Sequence, residues 1–118
     1  MAQMAIEAMP HITGSVASAN AIQSAIDSMS KIKEGTYRQV LQCLVTFNRR
    51  NDLSLIDCPV CLIAGSEDTN SPARTMQKMA SKIQRAEYHE LTGAGHLVNL
   101  ELPDQTNRIV SGFIGKTH

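Results

Sequence analysis

Tryptophan is absent from this 118-residue chain, and aromatic residues are 3% of it: Tyr37, Phe47, Tyr88 and Phe113. A core must therefore be assembled from Leu, Ile, Val, Met and Ala. Neither sign of charge is in excess. Eleven basic residues against eleven acidic ones leave no field to attract nucleic acid or an anionic membrane, so neither is expected as a partner. No apolar run approaches the roughly 20 residues that span a bilayer. The opening Met1-Ala2-Gln3-Met4-Ala5-Ile6-Glu7 has no basic region and carries an acid within its apolar part, which argues against a signal peptide. The three cysteines are an odd number, which disfavours a disulfide framework and fits reduced thiols in the cytosol. Repeats and low-complexity segments are also missing.

What is present is an ordinary hydrophobic content of 42%, enough for one domain or a piece of one. The pattern divides the chain in two. Residues 1–50 read as helix: Ala19, Ile22, Ala25, Ile26 and Met29 recur at helical spacing, as do Tyr37, Val40, Leu41, Leu44 and Val45. Pro10 is expected to end a first short helix, and Thr13-Gly14-Ser15 to form a loop. Gly35 is expected to stop the second helix and Thr36 to cap the third. No strand is evident in this half.

After the polar connector Asn48-Arg49-Arg50-Asn51-Asp52 the character changes. Val60-Cys61-Leu62-Ile63-Ala64 is a continuous apolar run, as in a parallel strand buried on both faces. Ser71 and Pro72 then suit the N-cap and first position of a helix running to Gln84, with Met76, Met79, Ala80 and Ile83 on one face. Glu87-Tyr88-His89-Glu90-Leu91 alternates like an edge strand. Pro103 opens a last helix with Ile109, Val110, Phe113 and Ile114 inward. The order β-α-β-α with short loops predicts an α/β fold with two parallel strands and a right-handed crossover. Asp68 and His96 each stand in the loop just past a strand's carboxyl end, where open α/β sheets place their chemistry. An acid and a histidine brought to one rim are two members of a nucleophile–base–acid triad.

These residues carry a family resemblance. Leu53 to Pro72, with Ile56-Asp57-Cys58-Pro59, the apolar strand, Gly65-Ser66-Glu67-Asp68 and Pro72, resembles the penultimate strand and acid loop of α/β-hydrolases. Gly93-Ala94-Gly95-His96-Leu97-Val98-Asn99-Leu100-Glu101-Leu102-Pro103 resembles their histidine loop, and the flavour is closest to the 3-oxoadipate enol-lactonase-like esterases and lactonases. Tyr37 to Leu53 looks like the last helix of their cap. The resemblance implies a partial α/β-hydrolase: a cap-like helical segment over residues 1–50, then the C-terminal part of the core over 51–118. It also implies that Asp68 is the triad acid and His96 the general base, with an ester or enol-lactone as substrate and no cofactor.

One family element has no counterpart. The nucleophile elbow G-x-S-x-G is not found, and Gly14-Ser15-Val16-Ala17-Ser18, the nearest text, follows no strand. The chain therefore reads as a C-terminal portion (a truncated product, a fragment or one piece of a split protein), inactive alone. It is expected to self-associate, or to pair with a complementing hydrolase chain, through the unpaired edge of its apolar strand. Two alternatives stand beside this: a haloperoxidase- or lyase-type member of the same fold, or a non-catalytic interaction module.

Other features read as structural. Cys58-Pro59-Val60-Cys61 enters a strand rather than opening a helix, so its thiols lack a helix dipole for redox work. A zinc site would need further ligands, and His89 and His96 lack the close spacing of known sites, so no metal is expected. Gly93-Ala94-Gly95 lacks the third glycine of a dinucleotide loop. His11, His89 and His118 are expected at the surface, Arg49-Arg50 in a solvated connector, and Met4, Met9, Met29, Met76 and Met79 as apolar filling.

Overall fold

The computed structural model describes residues 1–116. Three helices come first: α1 (Ala2–Ile12), α2 (Ala19–Ser30) and α3 (Glu34–Thr46). A 3-10 segment, Arg50–Leu55, leads to strand β1 (Val60–Gly65), followed by α4 (Ala73–Ala80), β2 (Ala86–Leu91), the one-turn α5 (Val98–Glu101) and α6 (Pro103–Ile114). The helical first half and the β-α-β-α second half follow the periodicities of the sequence. Among the described residues no helix is long and apolar enough to cross a membrane.

Element boundaries differ from the sequence reading for local reasons. Pro10 does not end α1. It lies inside the last turn, and the helix closes at Thr13, whose backbone N–H and hydroxyl both donate to the Met9 carbonyl (3.1 and 2.8 Å). Pro10 removes the N–H that the Ile6 carbonyl would accept, and the helix runs only two residues beyond it. Nor does Gly35 stop α2. That helix ends at Ser30, and Gly35 and Thr36 fall in the first turn of α3, where N–H groups have no intrahelical acceptor and glycine is cheap. Ser18 caps α2, its hydroxyl accepting from the Ala21 N–H at 3.1 Å. α4 starts at Ala73 with Pro72 as its N-cap and ends at Ala80, shorter than expected.

β1 and β2 pair in parallel, Val60 opposite Ala86 through Gly65 opposite Leu91. Leu62, Ala64, Ile83 and Leu91 are buried around them, together with Ala94 in the following loop. The expectation that β1 is buried on both faces is met on one: Cys61 and Ile63, on the other face, are only half-covered. α6 turns inward less than its spacing suggests, with Val110 39% and Ile114 73% exposed.

A second small core lies between α1 and α2, where Ala5, Met9, Ala21 and Ala25 are buried. Small residues let the two axes approach, and burying a Met9-sized side chain contributes about 1.5–3 kcal/mol. α3 packs on neither core. Val40, Leu41, Leu44 and Val45 are 42–85% exposed despite their helical spacing, because no other element lies against that face among the described residues. The radius of gyration, 15.7 Å, exceeds the roughly 13.5 Å expected for a compact chain of this length, in keeping with the outlying α3.

Candidate active site

The parallel register brings Gly65 and Leu91 level, so both strands release their loops at the same end of the sheet. Those loops are bonded to each other at once. The Ser66 N–H donates to the Leu91 carbonyl (3.0 Å), the Gly93 N–H to Ser66 Oγ (2.8 Å), and the Glu67 N–H to the Ala94 carbonyl (2.9 Å). Gly93 has φ +81°, a left-handed conformation that a side chain resists, and it turns the chain back over β1. Asp68 and His96 emerge facing one another, Asp68 Oδ2 lying 2.9 Å from His96 Nδ1.

Asp68 is fixed on its other side as well. Its Oδ1 accepts the N–H groups of Asn70 and Ser71 (2.8 and 2.9 Å), so one carboxylate both shapes the loop before α4 and holds the imidazole. Its side chain is 7% exposed, that of His96 39%. Burial pushes the Asp68 carboxyl up, but the Ser71 N–H, the His96 ring and the Asn70 N–H outweigh it. The net result holds the group below the usual carboxylate range. A carboxylate only accepts, so the proton in this contact belongs to Nδ1, and Nε2 is the basic nitrogen left for chemistry.

The loop between α1 and α2 is the third wall, which no local pattern announces. The His96 N–H donates to the Ile12 carbonyl (2.6 Å), and the Val16 N–H to the Gly93 carbonyl (3.2 Å). Ser15 donates to Glu67 twice at 2.7 Å, through its N–H and its hydroxyl, which holds the Glu67 carboxyl low. The Ser15 hydroxyl is thus engaged with Glu67 rather than His96. Gly14 sits so close to the histidine loop that an added Cβ would overlap backbone atoms of Gly93, Ala94 and Gly95. Here glycine is needed for room.

Glu101 ties these segments together. It is 6% exposed, and its carboxylate accepts from Gly14 N–H (2.7 Å), Gly95 N–H (2.9 Å) and Leu97 N–H (3.0 Å). The amides on either side of His96 are therefore anchored to one buried acid. The acid in Glu101-Leu102-Pro103 was visible as part of the loop pattern, but not its reach to Gly14, 87 positions away.

The remaining candidates fall elsewhere. Arg49 pairs with Asp52 at 3.0 Å, and Arg49 and Arg50 are exposed. With Phe47, Asn48, Leu53 and Met79 they border a cleft of about 210 Å³; a larger one, about 540 Å³, is bordered by Arg50, Leu53, Thr75, Lys78, Met79, Ser81 and Lys82. Neither cleft is lined by Asp68 or His96, so neither is read as their substrate site. Cys43 and Cys58 are exposed and Cys61 is half-buried; all three are free thiols. His11 is exposed as expected. His89 is half-buried instead, 3.3 Å from Glu87, and His118 lies outside the described residues.

No family model matches the chain. Over 95 residues it is 30% identical to 3-oxoadipate enol-lactonase 1 of Acinetobacter baylyi, a match covering 80% of this chain and 35% of that protein. The chain thus spans about a third of the length of this curated relative. Among solved structures it is similar to the enol-lactonase of Burkholderia xenovorans LB400, with TM-score 0.86, 20% identity, and coverage of 98% of this chain and 45% of that one. It is similar also to a thermophilic esterase from Thermogutta terrifontis, with TM-score 0.85, 21% identity, and coverage of 95% and 43%.

Proposed function

We propose that this chain, whose fold is that of the C-terminal part of an α/β-hydrolase, supplies the acid and base of a hydrolytic triad acting on a carboxylic ester or lactone. The observation that carries the reading is the 2.9 Å contact between Asp68 Oδ2 and His96 Nδ1, at the common carboxyl end of two paired parallel strands. In the reaction, His96 Nε2 takes the proton of an attacking hydroxyl and returns it to the departing alcohol. Asp68 keeps the imidazole in the tautomer that leaves Nε2 basic, and stabilises the imidazolium between the two transfers. The substrate class follows the relatives, which are described as enol-lactonases and an esterase.

The nucleophile is the part this reading takes from outside these 118 residues. They hold no G-x-S-x-G, and Ser15 is committed to Glu67. The 118-residue chain assayed alone is then inactive, since without a nucleophile only weak residual catalysis remains. The decisive experiment fuses it in register behind the N-terminal portion of the Acinetobacter relative. Ester or lactone turnover should appear and should fall by at least about 10³-fold in His96→Ala and Asp68→Asn. A folded, active fusion indifferent to both substitutions would refute the assignment, and so would saturable turnover by the isolated chain that His96→Ala abolished.

The reading extends to assembly. β1 pairs only with β2 among the described residues, leaving its other edge open, and α3 with its C-cap Phe47 presents Val40, Leu44, Val45 and that ring to solvent. An open apolar strand edge is a template for pairing. We assign that edge to a complementing hydrolase chain, or in its absence to a second copy. Light scattering should then give a mass above that of a monomer, and a monodisperse monomer would count against it.

A further inference from the structure

We propose that Cys61, Glu87 and His89 form a site for one divalent cation of the zinc class, separate from the Asp68–His96 pair. Cys61 and Glu87 are register partners on the two strands, and His89 follows Glu87 by two positions, so all three side chains leave the sheet on one face. One ligand atom from each (the thiol sulfur, a carboxylate oxygen, a ring nitrogen) lies within 4.8 Å of the other two. His89 Nε2 and Glu87 Oε1 are already 3.3 Å apart. Tetrahedral zinc with bonds of about 2.0–2.3 Å separates these ligands by roughly 3.3–3.6 Å, so the sulfur needs to move by little more than about 1 Å.

The donor set selects the metal. A thiolate with an imidazole and one carboxylate suits zinc or cobalt and is a poor cage for magnesium or calcium, which demand oxygen. The Glu87 and His89 side chains are 29% and 37% exposed, so a fourth position is open to water. A cation already stands beside the cluster: the Lys116 ammonium is ion-paired to the other carboxylate oxygen, Glu87 Oε2, and its charge opposes that of an entering metal. Cys61 lies four residues back from the carboxyl end of β1, about 13 Å away, which makes the metal a clip between the strands rather than a participant in hydrolysis. A two-stranded sheet is marginal by itself, and a clip that binds only the paired state stabilises it by mass action.

The test is a Co²⁺ titration of the full chain in a non-thiol, non-chelating reductant. One equivalent should produce a saturable thiolate-to-cobalt band in the near ultraviolet with tetrahedral absorption in the visible, both displaced by Zn²⁺. The band should vanish in Cys61→Ser and weaken at least tenfold in His89→Gln, persist in Cys58→Ser, and form at severalfold lower Co²⁺ in Lys116→Met. His89 is half-exposed, so its variant remains informative if Cys61→Ser fails to fold. Absence of a thiolate band at one equivalent overturns the proposal, as does a band that survives both Cys61→Ser and His89→Gln or disappears with Cys58→Ser.

Discussion

Replacing Glu101 tests whether one buried acid holds the histidine loop. Its carboxylate serves three backbone donors, Gly14, Gly95 and Leu97, at 2.7, 2.9 and 3.0 Å. A buried donor left without a partner costs about 1–3 kcal/mol. Glu101→Gln can place its amide oxygen where Oε2 now serves Gly14 and Gly95, but its NH₂ then meets the Leu97 N–H, so one donor is orphaned and about 1–3 kcal/mol is lost. Glu101→Ala orphans all three. Water reaching a relaxed loop keeps the loss in the lower part of the summed range, about 3–5 kcal/mol, which is a large share of an ordinary domain's 5–15 kcal/mol. The control is Glu34→Ala, which removes an exposed i,i+4 pair with Arg38 and should cost no more than about 0.5 kcal/mol. Urea unfolding at unchanged m gives the energies, and hydrogen exchange at the three amides locates them. A Glu101→Ala protein within 0.5 kcal/mol of wild type, or undiminished protection at those amides, would refute the role assigned to this residue.

Three further outcomes are expected. Asp68 is held below the ordinary carboxylate range, so the unfolded chain takes up its proton at higher pH than the native one; the contribution is complete above about pH 5 and is lost as pH falls through about 4 and below. The stability difference between wild type and Asp68→Asn should accordingly be flat near neutrality and close in acid, and a constant difference down to about pH 2 would contradict this. The Tyr88 phenol is pushed up to about 12, first by burial and then by the Glu90 carboxylate 2.9 Å away, so the late part of the phenolate absorbance titration should disappear in Tyr88→Phe and move earlier in Glu90→Gln. The native phenol keeps its proton where the unfolded one loses it, so stability from this group falls as pH rises from about 10 to 12. Two glycine-to-alanine changes should have opposite signs: Gly112→Ala, in α6 with nothing within 4 Å of the added carbon, raises stability by about 0.5–1 kcal/mol, whereas Gly14→Ala drives a carbon into the histidine-loop backbone and lowers it. Thermal melts of both decide it, and an unharmed Gly14→Ala would show that the two loops are not packed as described.

The division between what the chain announces and what its folding decides follows the range of each interaction. Helical spacing over residues 1–50, the apolar run of β1, the alternation of β2 and the loop signals at Gly65 and Gly93 are written in neighbouring residues, because periodicity and turn chemistry act over a few positions. That Asp68 and His96 lie at one end of the sheet was legible for the same reason: each follows its strand immediately, and a right-handed crossover leaves parallel strands little choice but to end side by side. The contacts that a parallel register and a returning loop create were not legible. Glu101 meets Gly14 across 87 positions, Ser15 meets Glu67, and Cys61 meets Glu87 and His89 only after α4 has carried the strand back. The apolar face of α3 shows the converse. Sequence specified a face fit for burial, and whether anything covers it depends on what packs there, which no local pattern encodes.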